Sequence, residues 1–118
     1  MSEPLDTWDR VEALALSLPG TEAATTYRMP AVKVAANGRG FDWTGHEAKT
    51  SFALWLDPAT NEMLMETDPD TFWQSPHYAG SSAVLVRYSS NDPERVRYTI
   101  EQAYELARAM KPVRARKK

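Results

Sequence analysis

Ala31-Val32-Lys33-Val34-Ala35-Ala36-Asn37-Gly38-Arg39-Gly40-Phe41-Asp42-Trp43-Thr44 reads as two strands joined by a tight turn, and the rest of the chain is arranged around that hairpin. By the two-residue period of a strand, Val32 and Val34 face a core and Lys33 faces solvent. Asn37-Gly38 is a strong hairpin signal, because both central positions of the tightest turns need a positive φ. The return strand, 40–44, is expected to alternate Phe41 and Trp43 inward with Asp42 outward. A polar loop, 45–50, then leads into a third strand, 51–56. There Phe52, Leu54 and Leu56 share one face, while Ala53 and Trp55 share the other.

Outward from this sheet the chain predicts helices. Trp8, Val11, Leu14, Ala15 and Leu18 recur at helical spacing, which predicts a helix over 6–18 capped by Asp6 or Thr7. Pro19-Gly20 ends it, since Pro cannot continue a helix and Gly tolerates a positive φ. Asp57-Pro58 starts a second helix that carries Met63 and Leu64 and ends near Thr67. Asp68-Pro69 repeats the start signal and predicts a further turn that presents Phe72 and Trp73, with 74–80 extended. The near-continuous apolar run 82–88 suits a central strand covered by helices. Asn91 or Asp92, followed by Pro93, opens a last helix with Val96, Ile100, Ala103, Tyr104 and Ala107 as its buried stripe. Strands flanked by helices at both ends, with one helix in the middle, predict an α+β two-layer sandwich.

Two further segments carry a family resemblance. Leu16-Ser17-Leu18-Pro19-Gly20-Thr21-Glu22 and the run Phe72-Trp73-Gln74-Ser75-Pro76-His77-Tyr78-Ala79-Gly80-Ser81-Ser82-Ala83-Val84-Leu85-Val86-Arg87 together resemble the MmcQ/YjbR-like family of small bacterial proteins, often labelled DNA-binding. The resemblance extends from about Trp8 to Met110. It implies the order helix, three strands, helix, two strands, helix around an antiparallel sheet, a plan similar to that of secretion chaperones. It also implies weak, non-catalytic DNA binding, and it brings no catalytic motif. The chain departs from the family pattern at Gly80-Ser81-Ser82-Ala83, which has one Gly and no Trp where members commonly carry Gly-Gly or Gly-x-Gly and then Trp. The region 40–50 is also longer and more polar than usual.

Composition narrows the field. A chain of 118 residues, 42% hydrophobic and 25% charged, is one domain with a core of its own, so disorder is not the default. We expect that domain over 1–110 and a basic, flexible tail over 111–118. Without a membrane-length apolar run or a basic-then-apolar start, the expected location is the cytoplasm. The absence of cysteine removes disulfides, thiolate nucleophiles and cysteine metal sites. The net charge of −2 conceals a split. Residues 1–110 hold nine Lys/Arg and all sixteen Asp/Glu, whereas Lys111, Arg114, Arg116, Lys117 and Lys118 crowd into the last eight positions. An acidic body is a poor footprint for duplex DNA, whose affinity comes from neutralised phosphates. A lysine-rich, Pro-containing terminus of this kind is more often a solvated chain end.

Chemistry is sparse. Glu62 and Glu66 lie on one helix face in similar surroundings, so no difference of environment separates them into an acid and a base. Gly45-His46-Glu47-Ala48-Lys49-Thr50 lacks the second glycine and the spacing of a phosphate loop. No serine sits in a nucleophile elbow. Neither a metal nor another cofactor is expected. His77 reads either as a structural residue at the entrance of a strand or, with Tyr27 and Tyr78, as the wall of a cleft. Arg28, Lys33, Arg39 and Arg87, with the tail cations, form a nucleic-acid-binding set if they share a face with aromatic side chains. Trp55 and Ala53 on the second sheet face suggest a protein-interaction surface or a homodimer contact. Three readings therefore stand: a DNA-binding protein, an adaptor or self-associating module, and a small-molecule binder near His77.

Overall fold

The structure, a computed structural model, describes residues 4–26 and 28–112. Helix α1 (Trp8–Ser17) is followed by strands β1 (Thr21–Thr26), β2 (Met29–Val34), β3 (Gly40–Trp43) and β4 (Ser51–Trp55). Helix α2 (Pro58–Thr67), strands β5 (Phe72–Trp73) and β6 (Ala83–Arg87), and helix α3 (Pro93–Arg108) complete the order. The strands form one antiparallel sheet in the order β1-β2-β3-β4-β6-β5. The α+β class and the antiparallel sheet are as the sequence implied. No helix among the described residues is long and apolar enough to cross a membrane.

Each helix starts where its cap dictates. The Thr7 hydroxyl accepts from the Arg10 amide, the Asp57 carboxylate from Thr60 and the Asp92 carboxylate from Arg95, with Pro58 and Pro93 in the first turns of α2 and α3. These side chains satisfy amides that a helix leaves without internal partners. The apolar stripes of all three helices pack on one sheet face. Val11 and Ala15 of α1, Leu64 of α2, and Val96, Ile100, Ala103, Tyr104 and Ala107 of α3 meet Val32, Val34, Phe52, Leu54, Leu56, Phe72, Val84 and Val86.

Three expectations need correction. The chain places four strands, not three, before the middle helix. β1 was hidden because Thr-Glu-Ala-Ala-Thr-Thr offers no large apolar residue; it is held as an edge strand by its backbone ladder to β2. Phe72 and Trp73, presented as expected by the turn at 69–71, form a short strand paired with Val86 and Leu85. In the β2–β3 turn, Gly38 takes a positive φ of 73° and Asn37 does not. Asn37 instead donates its side-chain amide to the Ala107 carbonyl at 2.8 Å and the Met110 carbonyl at 3.1 Å, capping the end of α3.

The third correction concerns β3. The pairing runs Lys33 with Gly40 and Val32 with Asp42, so Phe41 is an extra residue, a β-bulge. The bulge puts Phe41 and Asp42 on the helix-covered side, and Trp43 on the other. Phe41 is fully buried, edge-on to Tyr104 with ring centroids 5.7 Å apart. Asp42, expected to face solvent, is fully buried opposite Val32 and Leu54, and neither carboxyl oxygen has a hydrogen-bond partner among the described residues. Burial, and secondarily Glu12, push its pKa well above the ordinary carboxyl range. The Tyr88 phenol, its hydroxyl likewise buried and unpartnered, is pushed up by burial and then by Asp42.

A folded-state pKa raised above the unfolded value contributes stability that is complete below the unfolded pKa. That contribution is lost as pH rises toward the folded value. Asp42→Asn, which cannot ionise, should therefore unfold at higher urea than the parent at pH 7, by on the order of 1–3 kcal/mol. The gap should close as the pH falls toward 4. Parallel stability–pH curves for the two proteins would show that the Asp42 carboxyl carries no burial penalty.

Candidate functional site

The helix-free face of the sheet is crossed by two loops. The β3–β4 loop leaves Trp43, and the Thr44 amide donates to the Pro30 carbonyl at 3.1 Å. Gly45 then lies directly on the sheet at φ 76°. A Cβ there would sit 3.3 Å from the Ala53 Cβ and 3.4 Å from Leu85 Cδ2. Glycine is required twice over, for the left-handed backbone and for the close approach. Beyond it, His46 stacks on Tyr78 with ring centroids 5.1 Å apart, and His77 meets His46 edge-on at 4.0 Å. The first loop thus straps the middle of the face and meets the second.

The second loop, between β5 and β6, is tied at several points. Gln74 donates to the Ala83 carbonyl at 2.7 Å and accepts from the Gly80 amide at 3.2 Å. Asn61 of α2 donates to the Ser81 carbonyl at 3.2 Å, and the Leu56 amide donates to the Ser82 carbonyl at 2.7 Å. Tyr78 is buried, and its hydroxyl accepts from Trp43 Nε1 at 3.3 Å.

Between this loop and the sheet lies a cleft of about 470 Å³, lined by Thr26, Gly40, Trp43, Trp55, His77, Tyr78, Ser81, Ser82 and Ala83. Four rings wall it, and no carboxylate or cation of the described residues lines it. It is a place for a flat, uncharged or weakly polar group, with serine and threonine hydroxyls at its edge. Its volume is smaller than that of the apolar groove of about 620 Å³ between α3 and the end of α1. The polar residues of that groove, Tyr98, Glu101, Gln102, Tyr104 and Glu105, all come from α3. Among the described residues, no three His, Cys, Asp or Glu side chains come together to hold a metal ion.

His77 and Tyr78, the sequence-derived cleft candidates, thus line one cavity, and Trp55 lines the same cavity. Tyr27 lies outside the described residues. Trp43 was missed as a wall residue because the alternation 41–43 assigned it to the helix side. A bulge leaves no signal in a single sequence beyond the Gly before it.

The basic candidates are dispersed. Arg28 sits exposed in the β1–β2 turn at φ 67°. Lys33 pairs with Glu22 across the β1–β2 ladder at 3.3 Å. Arg39 Nε donates to the Lys111 carbonyl at 2.8 Å, which brings those two residues together beyond the end of α3. Arg87 donates to the Pro69 carbonyl at 3.0 Å and lies over the Trp73 ring at 4.9 Å. Lys33 and Arg87 share the helix-free side of the sheet. They are three strand spacings apart across it, about 14 Å, and lie toward opposite ends. Arg114, Arg116, Lys117 and Lys118 lie outside the described residues.

One antiparallel sheet, with helices on one side and a loop-strapped aromatic cleft on the other, defines an α+β domain. A family model described as YjbR matches residues 16–106, and the chain belongs to that family. The fold is similar to the crystal structure of Deinococcus radiodurans protein DR2400, of the family-model domain DUF419. The TM-score is 0.75 at 19% sequence identity, over 92% of this chain and 83% of that one. No curated protein matches this chain.

Two glycine substitutions separate the strap from its backbone geometry. Gly20 has a similar φ of 74° but open space around its missing Cβ. Gly20→Ala should lose about 1–2 kcal/mol of unfolding free energy from the left-handed backbone alone. Gly45→Ala should lose more than that, because the strap must also lift from Ala53 and Leu85. Equal losses in urea denaturation would mean that the loop yields without resistance.

Proposed function

We propose that this chain is a non-catalytic binding module whose ligand is a small, flat heterocycle held in the cleft between Trp55 and the 77–83 segment. The observation that carries this reading is the convergence of Trp43, Trp55, His77 and Tyr78 on one cavity, on the face that no helix covers. Rings supply dispersion and stacking without demanding a particular charge. The anchored 74–82 loop supports a cavity formed before the ligand arrives, which lowers the entropy lost on binding. The serine and threonine hydroxyls at the rim offer both donors and acceptors to ring nitrogens and exocyclic groups.

A titration of tryptophan fluorescence with adenine, cytosine and indole tests it. Saturable quenching is expected for at least one of these heterocycles. Trp55→Ala should weaken that binding by about tenfold or more, the usual worth of one stacking ring. His77→Ala should weaken it less, since His77 is exposed. Absence of saturation by all three, together with a change of sedimentation mass in Trp55→Ala, would favour self-association through the same surface.

Weak DNA binding remains a second reading, favoured by one observation. Arg39 holds the Lys111 carbonyl, which fixes the start of the basic 111–118 segment against the β2–β3 turn. In this reading the tail supplies the phosphate contacts and the acidic body does not. Fluorescence anisotropy with labelled single- and double-stranded DNA should show salt-sensitive binding by the full chain. Residues 1–110 should lose most of it, the log–log salt slope falling by about 0.7–0.9 for each phosphate contact removed. Equal binding by the truncated chain would refute the tail as the DNA-contacting element.

A further inference from the structure

The Gly45 strap divides the helix-free face, and a second cavity lies on its other side. It has a volume of about 550 Å³ and is lined by Lys49, Thr50, Trp73, Arg87, Tyr88 and Ser89. It sits where β4 begins and β6 ends, with the Tyr88 amide donating to the Thr50 carbonyl at 2.9 Å and so joining its two sides. Its composition differs from that of the His77 cleft. Two cations and the Trp73 ring line it, and no carboxylate does.

The cations are poised rather than paired. Among the described residues Arg10, Lys33, Arg97 and Arg108 each have a carboxylate within 4 Å, whereas Lys49 and Arg87, like Arg28, Arg39 and Arg95, have none. Arg87 is nevertheless held in place. Its Nη1 donates to the Pro69 carbonyl, with the Asp70 carbonyl at 3.5 Å, and its guanidinium lies over Trp73. Neither Nε nor Nη2 donates to a protein acceptor among the described residues, which leaves a planar fork of N–H groups for an oxyanion. Trp73 is fixed in turn, its Nε1 donating to Ser51 Oγ at 3.0 Å. The indole polar edge is thereby satisfied, and the remaining ring surface is apolar. The Tyr88 ring, packed on Phe52, and the Asp42 carboxyl that acts on it belong to the opposite, helix-covered side of the sheet, so Tyr88 meets this cavity through its backbone. Thr50 and Ser89 add hydroxyls beside the cations.

We propose that this cavity is an anion site for a phosphate monoester carried on a small flat ring. The oxyanion is taken by the Arg87 fork and the Lys49 ammonium, and the ring lies against Trp73. The site is separate from the His77 cleft and does not depend on what that cleft binds. Arg87 is a binding residue here through its free fork edge, and its bond to the Pro69 carbonyl sets the angle of that fork.

Phenyl phosphate, inorganic phosphate and phenol are the probes, titrated into the full chain and followed by the Trp73 indole N–H and the Lys49, Thr50 and Ser89 amides in NMR spectra. Phenyl phosphate should shift these signals saturably, inorganic phosphate should bind more weakly, and phenol should not bind over the same range. Lys49→Gln changes an exposed side chain and should leave the melting temperature and any heterocycle binding in the other cleft unchanged. It should weaken phenyl phosphate about tenfold, the usual scale for losing one charge-assisted contact. Arg87→Lys keeps the charge but loses the fork and should weaken it comparably. No shift at Trp73, equal binding of phenol, or undiminished affinity in Lys49→Gln would each overturn the site. Failure of the His77 cleft to bind a heterocycle would leave these outcomes as they are.

Discussion

The extra residue in β3 is the constraint on which both faces of this molecule depend. With Phe41 bulged, one short strand delivers two consecutive side chains to the helix layer and the next to the opposite side. Phe41 then fills the space beneath Tyr104, whose hydroxyl donates to the Pro19 carbonyl at 2.6 Å and ties α3 to the end of α1. Trp43, displaced by the same step, becomes the wall of the cleft and the hydrogen-bond donor to Tyr78. A regular strand would have placed both rings together and left the outer face without its central tryptophan. Asp42 is the energetic consequence, because the bulge leaves it among valines and leucines with no donor to meet it. A penalty of that kind, retained in the core, is compatible with folding only because the surrounding apolar burial exceeds it.

The opposite face shows how a sheet without a helix layer can still be covered. Ala53 and Leu85 at its centre are fully buried, although no helix touches that side. The Gly45 backbone covers them. A peptide strap is thinner than a helix, so cavities survive on both flanks. One is ring-lined and nearly free of charge, and the other is ring-lined and basic. The division follows from where the loop crosses. Trp43 and Trp55 fall on one side of Gly45, and Trp73 and Arg87 on the other.

Much of the helix layer was legible in the sequence. Caps at Thr7, Asp57 and Asp92 and the stripe Val96–Ile100–Ala103–Tyr104–Ala107 act through local geometry, which a sequence displays. The alternation in 51–56 was legible for the same reason, since β4 is regular and buried on both sides. β1 was not, because its threonines and alanines carry no burial pattern and the strand is defined by pairing with β2. Nor was β3, because a bulge resets the alternation without changing composition. Asn37 shows a subtler failure. Its residue type was read as turn geometry, whereas its side chain serves α3 some seventy residues away, a contact that no local pattern encodes.

The site was partly legible for a related reason. His77, Tyr78 and Trp55 could be named because unusual residue types stand out in loops and on second faces. Their convergence with Trp43 could not, since it requires the bulge, the strap and the Gln74 and Asn61 bonds together. The cations were easier to name than to place. Arg28, Lys33, Arg39 and Arg87 sit on four different parts of the sheet, and three of them are engaged with a carboxylate or a backbone carbonyl. Net charge alone would rank the last eight residues above any of these. Arg39 and Arg87 both combine a backbone-carbonyl anchor with unused donors, and what distinguishes Arg87 is the Trp73 ring beneath it. Positioning by the fold, rather than the number of charges, decides which of these side chains can hold an anion.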